Sequence, residues 1–345
     1  MTRLLDRDFL ILILLKVSLL IAFFWYYPGN APSGDAAYKY LQAEDLVRSG
    51  FTTFQCYYPS QDIDPDLIYI PFLEPFLYKI KSGCYYVFPY ALAIINAVFF
   101  LLAGGAGLYL VSVLGGMAIL FLLYRLGTLT HLPPHERSLF LIFSLGAYGF
   151  YNYGLGQNEY TLSAALATLA IYGTVRADLR GALLAGLATA VNLQLRPESG
   201  LLAVLLPAAY FLVRREVRLP LISLLAFLPG VLLFWLGNEL IFSNSMGLRG
   251  IVFMDYQPPG ILDRVQRLAE YWFARPTSLL LQTPLLLGGL FSWWQVKKDG
   301  DAGWRLRLIL LCCLGYMIVI PLAVPNNPGP QFGERFLFNV FPSLG

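Results

Sequence analysis

PGNAPSGDAAYKYLQAEDLVRS, residues 28–49, is the stretch whose reading decides the fold. The residues before it, Phe9 to Tyr27, are apolar except for Lys16 and Ser18. They are long enough to cross a bilayer and stop at a Pro-Gly-Asn-Ala-Pro breaker. After Ser33-Gly34-Asp35 a helical pattern resumes. Ala36, Tyr40, Ala43 and Val47 share one stripe, and Asp35, Tyr38, Gln42 and Asp45 another. The expected element is a helix lying flat on the membrane surface with its polar groups turned one way and Asp35 in its first turn.

The rest of the chain agrees with that entry into a membrane. Of 345 residues 57% are hydrophobic and only 13% charged, with a mean hydropathy of +0.62, far from the quarter-charged norm of soluble domains. Apolar spans recur at about 8–27, 106–124, 138–153, 160–175, 181–195, 199–213, 219–241, 279–296 and 306–324. The expected fold class is an all-α integral membrane protein, a polytopic bundle of about nine to ten transmembrane helices in one domain spanning 1–345. The net charge of +3 supports no nucleic-acid reading, because in such proteins the placement of Lys and Arg matters more than their sum.

Placement sets the orientation. If Tyr85 to Ala103 does not span, one side holds Arg3, Arg7, Arg125, Arg137, Arg176, Arg180, Arg214, Arg215, Arg218, Lys297, Lys298, Arg305 and Arg307. The other side then holds only Arg196 and Arg335. A spanning segment would invert that bias, so Tyr85–Ala103 is read as a re-entrant or surface-lying helix. Two large non-cytoplasmic regions result, 28–105 and 243–278. After Arg335 only Phe336 to Gly345 remain, too short to cross, and the chain reads as truncated or as lacking a last helix.

Soluble-enzyme motifs are mostly missing. Ala103-Gly104-Gly105-Ala106-Gly107 lacks the Lys and hydroxyl of a phosphate loop and reads as close packing or a bend. His131 and His135 flank Pro133-Pro134 in a solvated turn, and Asp62, Asp64 and Asp66 read as an acidic turn rather than a calcium loop. Cys312 and Cys313 read as packing residues. Cys56 and Cys84 share the first large loop, where they form either a disulfide in an oxidising compartment or two free thiols. What remains is a ring of charges at the non-cytoplasmic helix ends: Asp35, Glu159, Arg196-Pro197-Glu198 and Glu334-Arg335. Charges at membrane depth are costly and point to function. Asp35 also suits a helix N-cap, Arg196–Glu198 a plain interfacial pair, and Arg335 a snorkelling anchor.

The Gly34-Asp35 helix after the first span, the proline-entered helix before Gly105-Ala106-Gly107-Leu108-Tyr109, the Leu122-Leu123-Tyr124-Arg125-Leu126-Gly127 exit, Leu195-Arg196-Pro197-Glu198 and Phe332-Gly333-Glu334-Arg335-Phe336-Leu337 together resemble the GT-C glycosyltransferase superfamily. Within it the nearest relatives are the protein mannosyltransferase-like and lipid A aminoarabinose transferase-like members. The resemblance implies an inverting glycosyltransferase that moves a sugar from a polyprenyl-phosphate donor to an unspecified acceptor. Its active site would face the periplasm of a bacterial inner membrane. Asp35 would be the general base, Arg196 and Arg335 would bind the donor phosphate, and Tyr38, Glu159 and Glu198 would support them or touch sugar hydroxyls. No metal ligand is assigned. Relatives often carry Asp-Glu where this chain has Asp35-Ala36, so a divalent metal stays open. The alternative class is a lipid-linked-sugar flippase or other multi-pass transporter, in which the same charges line a pathway; a noncatalytic membrane scaffold is the third.

Overall fold

The computed structural model describes residues 7–26, 34–66, 68, 76–80, 83–146, 158–248, 260–274 and 300–323. The expected span 279–296 and Arg335 lie outside them. The helices are α1 (Arg7–Tyr26), α2 (Asp35–Arg48), α3 (Tyr90–Ala103), α4 (Gly105–Leu129), α5 (Pro134–Gly146), α6 (Tyr160–Arg176), α7 (Leu179–Leu195), α8 (Leu202–Arg214), α9 (Arg218–Phe242), α10 (Ile261–Ala269) and α11 (Asp301–Ala323). A 3-10 turn, Pro197–Leu201, joins α7 to α8. The fold is that of an all-α, multi-pass membrane protein. Among the described residues four helices are long and apolar enough to cross a bilayer unaided: Gly105–Leu129, Pro197–Arg214, Arg218–Phe242 and Ala302–Leu322. Shorter apolar helices pack between them.

Local chemistry sets the boundaries. Asp178 caps α7 by accepting a hydrogen bond from the Gly181 amide, and α7 ends at extended Arg196, whose helical conformation Pro197 disfavours. The glycine-rich stretch is the expected bend: Gly104, at φ 59°, breaks α3 from α4 with no loop between them. At 14 residues α3 measures about 21 Å, short of the roughly 30 Å hydrocarbon layer. The sequence reading takes Tyr85–Ala103 as a re-entrant or surface-lying segment. The beginning of the segment is not helical, however, because Gly83–Tyr86 pairs antiparallel with Leu77–Ile80 as a hairpin, β1–β2.

Small residues let the helices approach closely. A methyl group on Gly115 of α4 would sit 2.6 Å from the Leu162 backbone nitrogen of α6, and one on Gly230 of α9 would sit 2.4 Å from the Ala190 side chain of α7. Around these crossings lies the main core, which takes in Cys312 and Cys313 as the packing residues they were expected to be. A smaller cluster fastens α2 to the α3–α4 bend through Ala43, Leu46, Ala93, Ala97 and Leu108.

Two of the basic residues meet at Trp304, at the start of α11. Arg305 at the start of α11 donates to the Leu129 carbonyl at the end of α4 and faces the His131 ring, while Arg214 at the end of α8 lies over Trp304. His135 is exposed, as a solvated turn requires. The acidic turn is only partly solvated: Asp62 and Asp66 are exposed, whereas Asp64 is turned inward and accepts from the Tyr58 hydroxyl and the Ile68 amide.

Candidate functional site

α2 does not present its polar stripe to water. Lys39, Gln42 and Asp45 are all buried with Ala43 and Leu46, packed against α3 and β2. Asp45 accepts through one oxygen from the Tyr57 amide at 2.8 Å and the Tyr86 hydroxyl at 2.6 Å. Burial raises its pKa in spite of those two bonds. Gln42 donates to the Phe88 carbonyl at 3.3 Å, and among the described residues its Oε1 has no hydrogen-bond partner. Asp35 occupies the first position of the helix. The capping place belongs to Gly34, at φ 54°, so the N-cap reading of Asp35 is replaced by a carboxylate inside the positively polarised first turn.

One turn beyond Asp35, about 6 Å along the axis, the Lys39 ammonium pairs with Glu159 at 2.5 Å, both side chains at most 2% exposed. Its charge also faces the rings of Phe88 at 5.0 Å and Tyr160 at 5.5 Å. The same Tyr160 ring lies 4.6 Å from the guanidinium carbon of Arg196. Arg196 donates from Nε to Glu198 Oε1 at 2.6 Å and from a terminal nitrogen to the same oxygen. The result is a continuous row, Glu159, Lys39, the Tyr160 ring, Arg196 and Glu198, assembled from α2, the start of α6 and the α7–α8 turn. Glu198, with 12% of its side chain exposed, is the member nearest to solvent.

A second polar layer fixes these turns. The Asn158 side chain accepts from the Tyr160 amide, and its carbonyl accepts from Ser112 of α4 at 2.8 Å. Thr161 donates to the Ser112 carbonyl. Ser163 donates to Asn192 at 2.6 Å, Asn192 returns a bond to the Ser163 carbonyl, and Ser199 of the 3-10 turn lies 3.4 Å from Ser163. Glu159 and Arg196 are thus held by side chains that themselves have partners, as buried polar groups require.

Of the residues singled out from sequence, the structure brings Glu159, Arg196 and Glu198 together, with Asp35 one helical turn from Lys39. Tyr38 takes a different direction and stacks on Phe76 at 4.5 Å in the cluster around the hairpin. Arg335 lies outside the described residues. Lys39 and Tyr160 escaped the sequence reading. Lys39 belongs to neither stripe read on that helix, although its i,i+4 spacing from Asp35 is a usable signal. Among the described residues no three His, Cys, Asp or Glu side chains converge as metal ligands.

No family model and no curated protein matches the sequence. Solved structures do match. ArnT from Cupriavidus metallidurans bound to undecaprenyl phosphate superposes with a TM-score of 0.62 at 12% identity, over 96% of this chain and 58% of that one. The same protein in the apo state gives 0.61 at 13%, over 96% and 57%. The chain thus spans somewhat under three fifths of the length of the ArnT chain. Such identity carries the fold alone: this is a multi-pass membrane protein whose fold is similar to that of ArnT.

Proposed function

We propose that the protein is an inverting glycosyltransferase that takes a sugar from a polyprenyl-phosphate donor on the non-cytoplasmic side of a bacterial inner membrane. The buried row carries the proposal. A bundle that needed only stability would gain little from two buried ion pairs, because desolvation offsets much of their attraction. A reaction that displaces a lipid phosphate needs a fixed cation for the leaving group and a carboxylate for the attacking hydroxyl. The likeness to a structure described as bound to undecaprenyl phosphate supports the donor class.

In this account Asp35, beside the row and at the mouth of the first loop, accepts the proton of the acceptor hydroxyl as that oxygen attacks the anomeric carbon. Arg196, with Arg335, takes the phosphate released on the opposite face, so the anomeric centre inverts. The row as folded is electrically balanced, two cations against two carboxylates. Phosphate therefore binds by replacing Glu198, its most exposed member, on the Arg196 fork. The Gln42 Oε1, a buried acceptor without a partner among the described residues and worth about 1–3 kcal/mol to satisfy, supplies a place for a donor hydroxyl. Glu159 backs this site through its bond to Lys39, whereas Tyr38, stacked on Phe76, takes no part in it.

The test is binding of radiolabelled undecaprenyl phosphate to purified protein. Arg196→Ala should weaken it about tenfold or more, and Arg196→Lys should not restore it, because an ammonium lacks the paired donors. Unchanged affinity would remove Arg196 from the phosphate site.

A further inference from the structure

The first loop holds a feature that the transferase chemistry does not use. Gln55 forms an isolated antiparallel bridge with Tyr85 of β2, which places the next residue, Cys56, directly opposite Cys84. The Cys56 amide donates to the Cys84 carbonyl at 2.8 Å. Facing residues of an antiparallel pair have Cα atoms about 4.5–5.5 Å apart, inside the roughly 4.4–6.8 Å window of a disulfide. Both side chains are buried in one small cluster with Leu77, Tyr86 and Phe88.

We propose that Cys56 and Cys84 form an intramolecular disulfide that ties the strand-like segment at Gln55–Cys56 to β2 and so fixes the loop beneath α2. The neighbouring bonds give the link its purpose. Tyr57 and Tyr86, which follow the bridge on either strand, both bond Asp45 of α2, the helix that carries Asp35 and Lys39. The cross-link closes a loop of roughly 30 residues, which raises the cost of releasing α2 from its seat.

The chemistry is thiol–disulfide exchange with a protein or small-molecule disulfide as oxidant. The Cys84 thiolate attacks the oxidant and expels one of its thiolates. Cys56 then attacks the mixed disulfide and expels the second. Two protons and two electrons leave the pair, and the oxidant becomes two thiols. Burial of both sulfurs places the reaction during folding, before the hairpin closes over them.

The measurement is the number of free thiols in wild-type protein isolated from membranes and alkylated with iodoacetamide in denaturant without reductant. Two adducts, on Cys312 and Cys313, and a tryptic species linking the Cys56 and Cys84 peptides are expected; dithiothreitol should raise the count to four and lower the unfolding midpoint by about 5 °C. Four adducts before reduction, or a covalent dimer, would overturn the proposal. The inference shares with the proposed function only the non-cytoplasmic placement of the loop. A Ser60→Cys variant labelled in intact cells by a membrane-impermeant maleimide reports that placement by itself. Four adducts with outside labelling overturn the disulfide alone, whereas failure to label Cys at position 60 overturns both readings.

Discussion

Replacing Lys39 with Met tests whether the row is an ion pair closed off from water. The partners meet at 2.5 Å and are at most 2% exposed. At an effective dielectric of about 20 their attraction is roughly 6–7 kcal/mol before desolvation is counted. Removing the ammonium alone leaves the Glu159 carboxylate buried among Phe88, Tyr160 and the neighbouring helices, which should cost about 3–5 kcal/mol. Removing the carboxylate as well, in K39M/E159Q, takes away the stranded charge and should recover most of that loss. The coupling from the double-mutant cycle should exceed about 2 kcal/mol. Reversible unfolding in mixed detergent and sodium dodecyl sulfate micelles measures it. The same helix supplies the control: Arg48 and Glu44 pair at 3.2 Å with side chains 50% and 33% exposed, and their coupling should stay near 0.3–0.5 kcal/mol, as is usual about exposed i,i+4 pairs. Equal, small couplings for both pairs would refute the view of Lys39–Glu159 as a buried organising contact.

Glu198→Gln should tighten binding of undecaprenyl phosphate while lowering stability in its absence, because it frees the Arg196 fork and leaves a buried cation; weaker binding, read by the same radiolabel assay, would show that Glu198 orients Arg196 instead. Asp45→Asn should keep both bonds, since one oxygen accepts from Tyr57 and Tyr86. Asp45 has a raised folded pKa, so its favourable contribution is complete below its ordinary value near 3.8 and is lost as pH rises through the raised value. The variant should flatten that part of the stability–pH profile and be no less stable than wild type at pH 8; an unchanged profile would contradict the assignment. Gly115→Val should cost about 1–3 kcal/mol or more by forcing α4 from α6, and a neutral change in the unfolding midpoint would mean the crossing is looser than described. A thiol introduced at Asp178 should react with membrane-impermeant maleimide only after cells are opened; labelling from outside would contradict the orientation.

The membrane class and most helix positions were legible because long apolar runs and their Pro/Gly breaks have few alternative readings. So were Glu159, Arg196 and Glu198, since a charge at a helix end within an apolar chain stands out. The row itself was not legible. Asn192, Ser163 and Ser112 act through contacts between helices distant in sequence, and nothing local marks them. α2 shows the limit best. Its stripes were read as apolar toward lipid and polar toward water, yet its polar face is the buried one, satisfied by groups from β2, the Phe88 carbonyl and α6. The hairpin was missed for a related reason: Leu77–Ile80 and Gly83–Tyr86 are short strands embedded in an aromatic-rich run that competes for membrane.

The central claim is that Asp35 takes the acceptor proton in transfer from a lipid-phosphate donor. Purified wild type and Asp35→Asn should be compared in proteoliposomes with a panel of radiolabelled undecaprenyl-phosphate sugars and native membrane extract as acceptor, with donor affinity measured in parallel. Loss of about 100-fold or more in transfer with donor affinity retained is the expected result; equal turnover by the two proteins would contradict it.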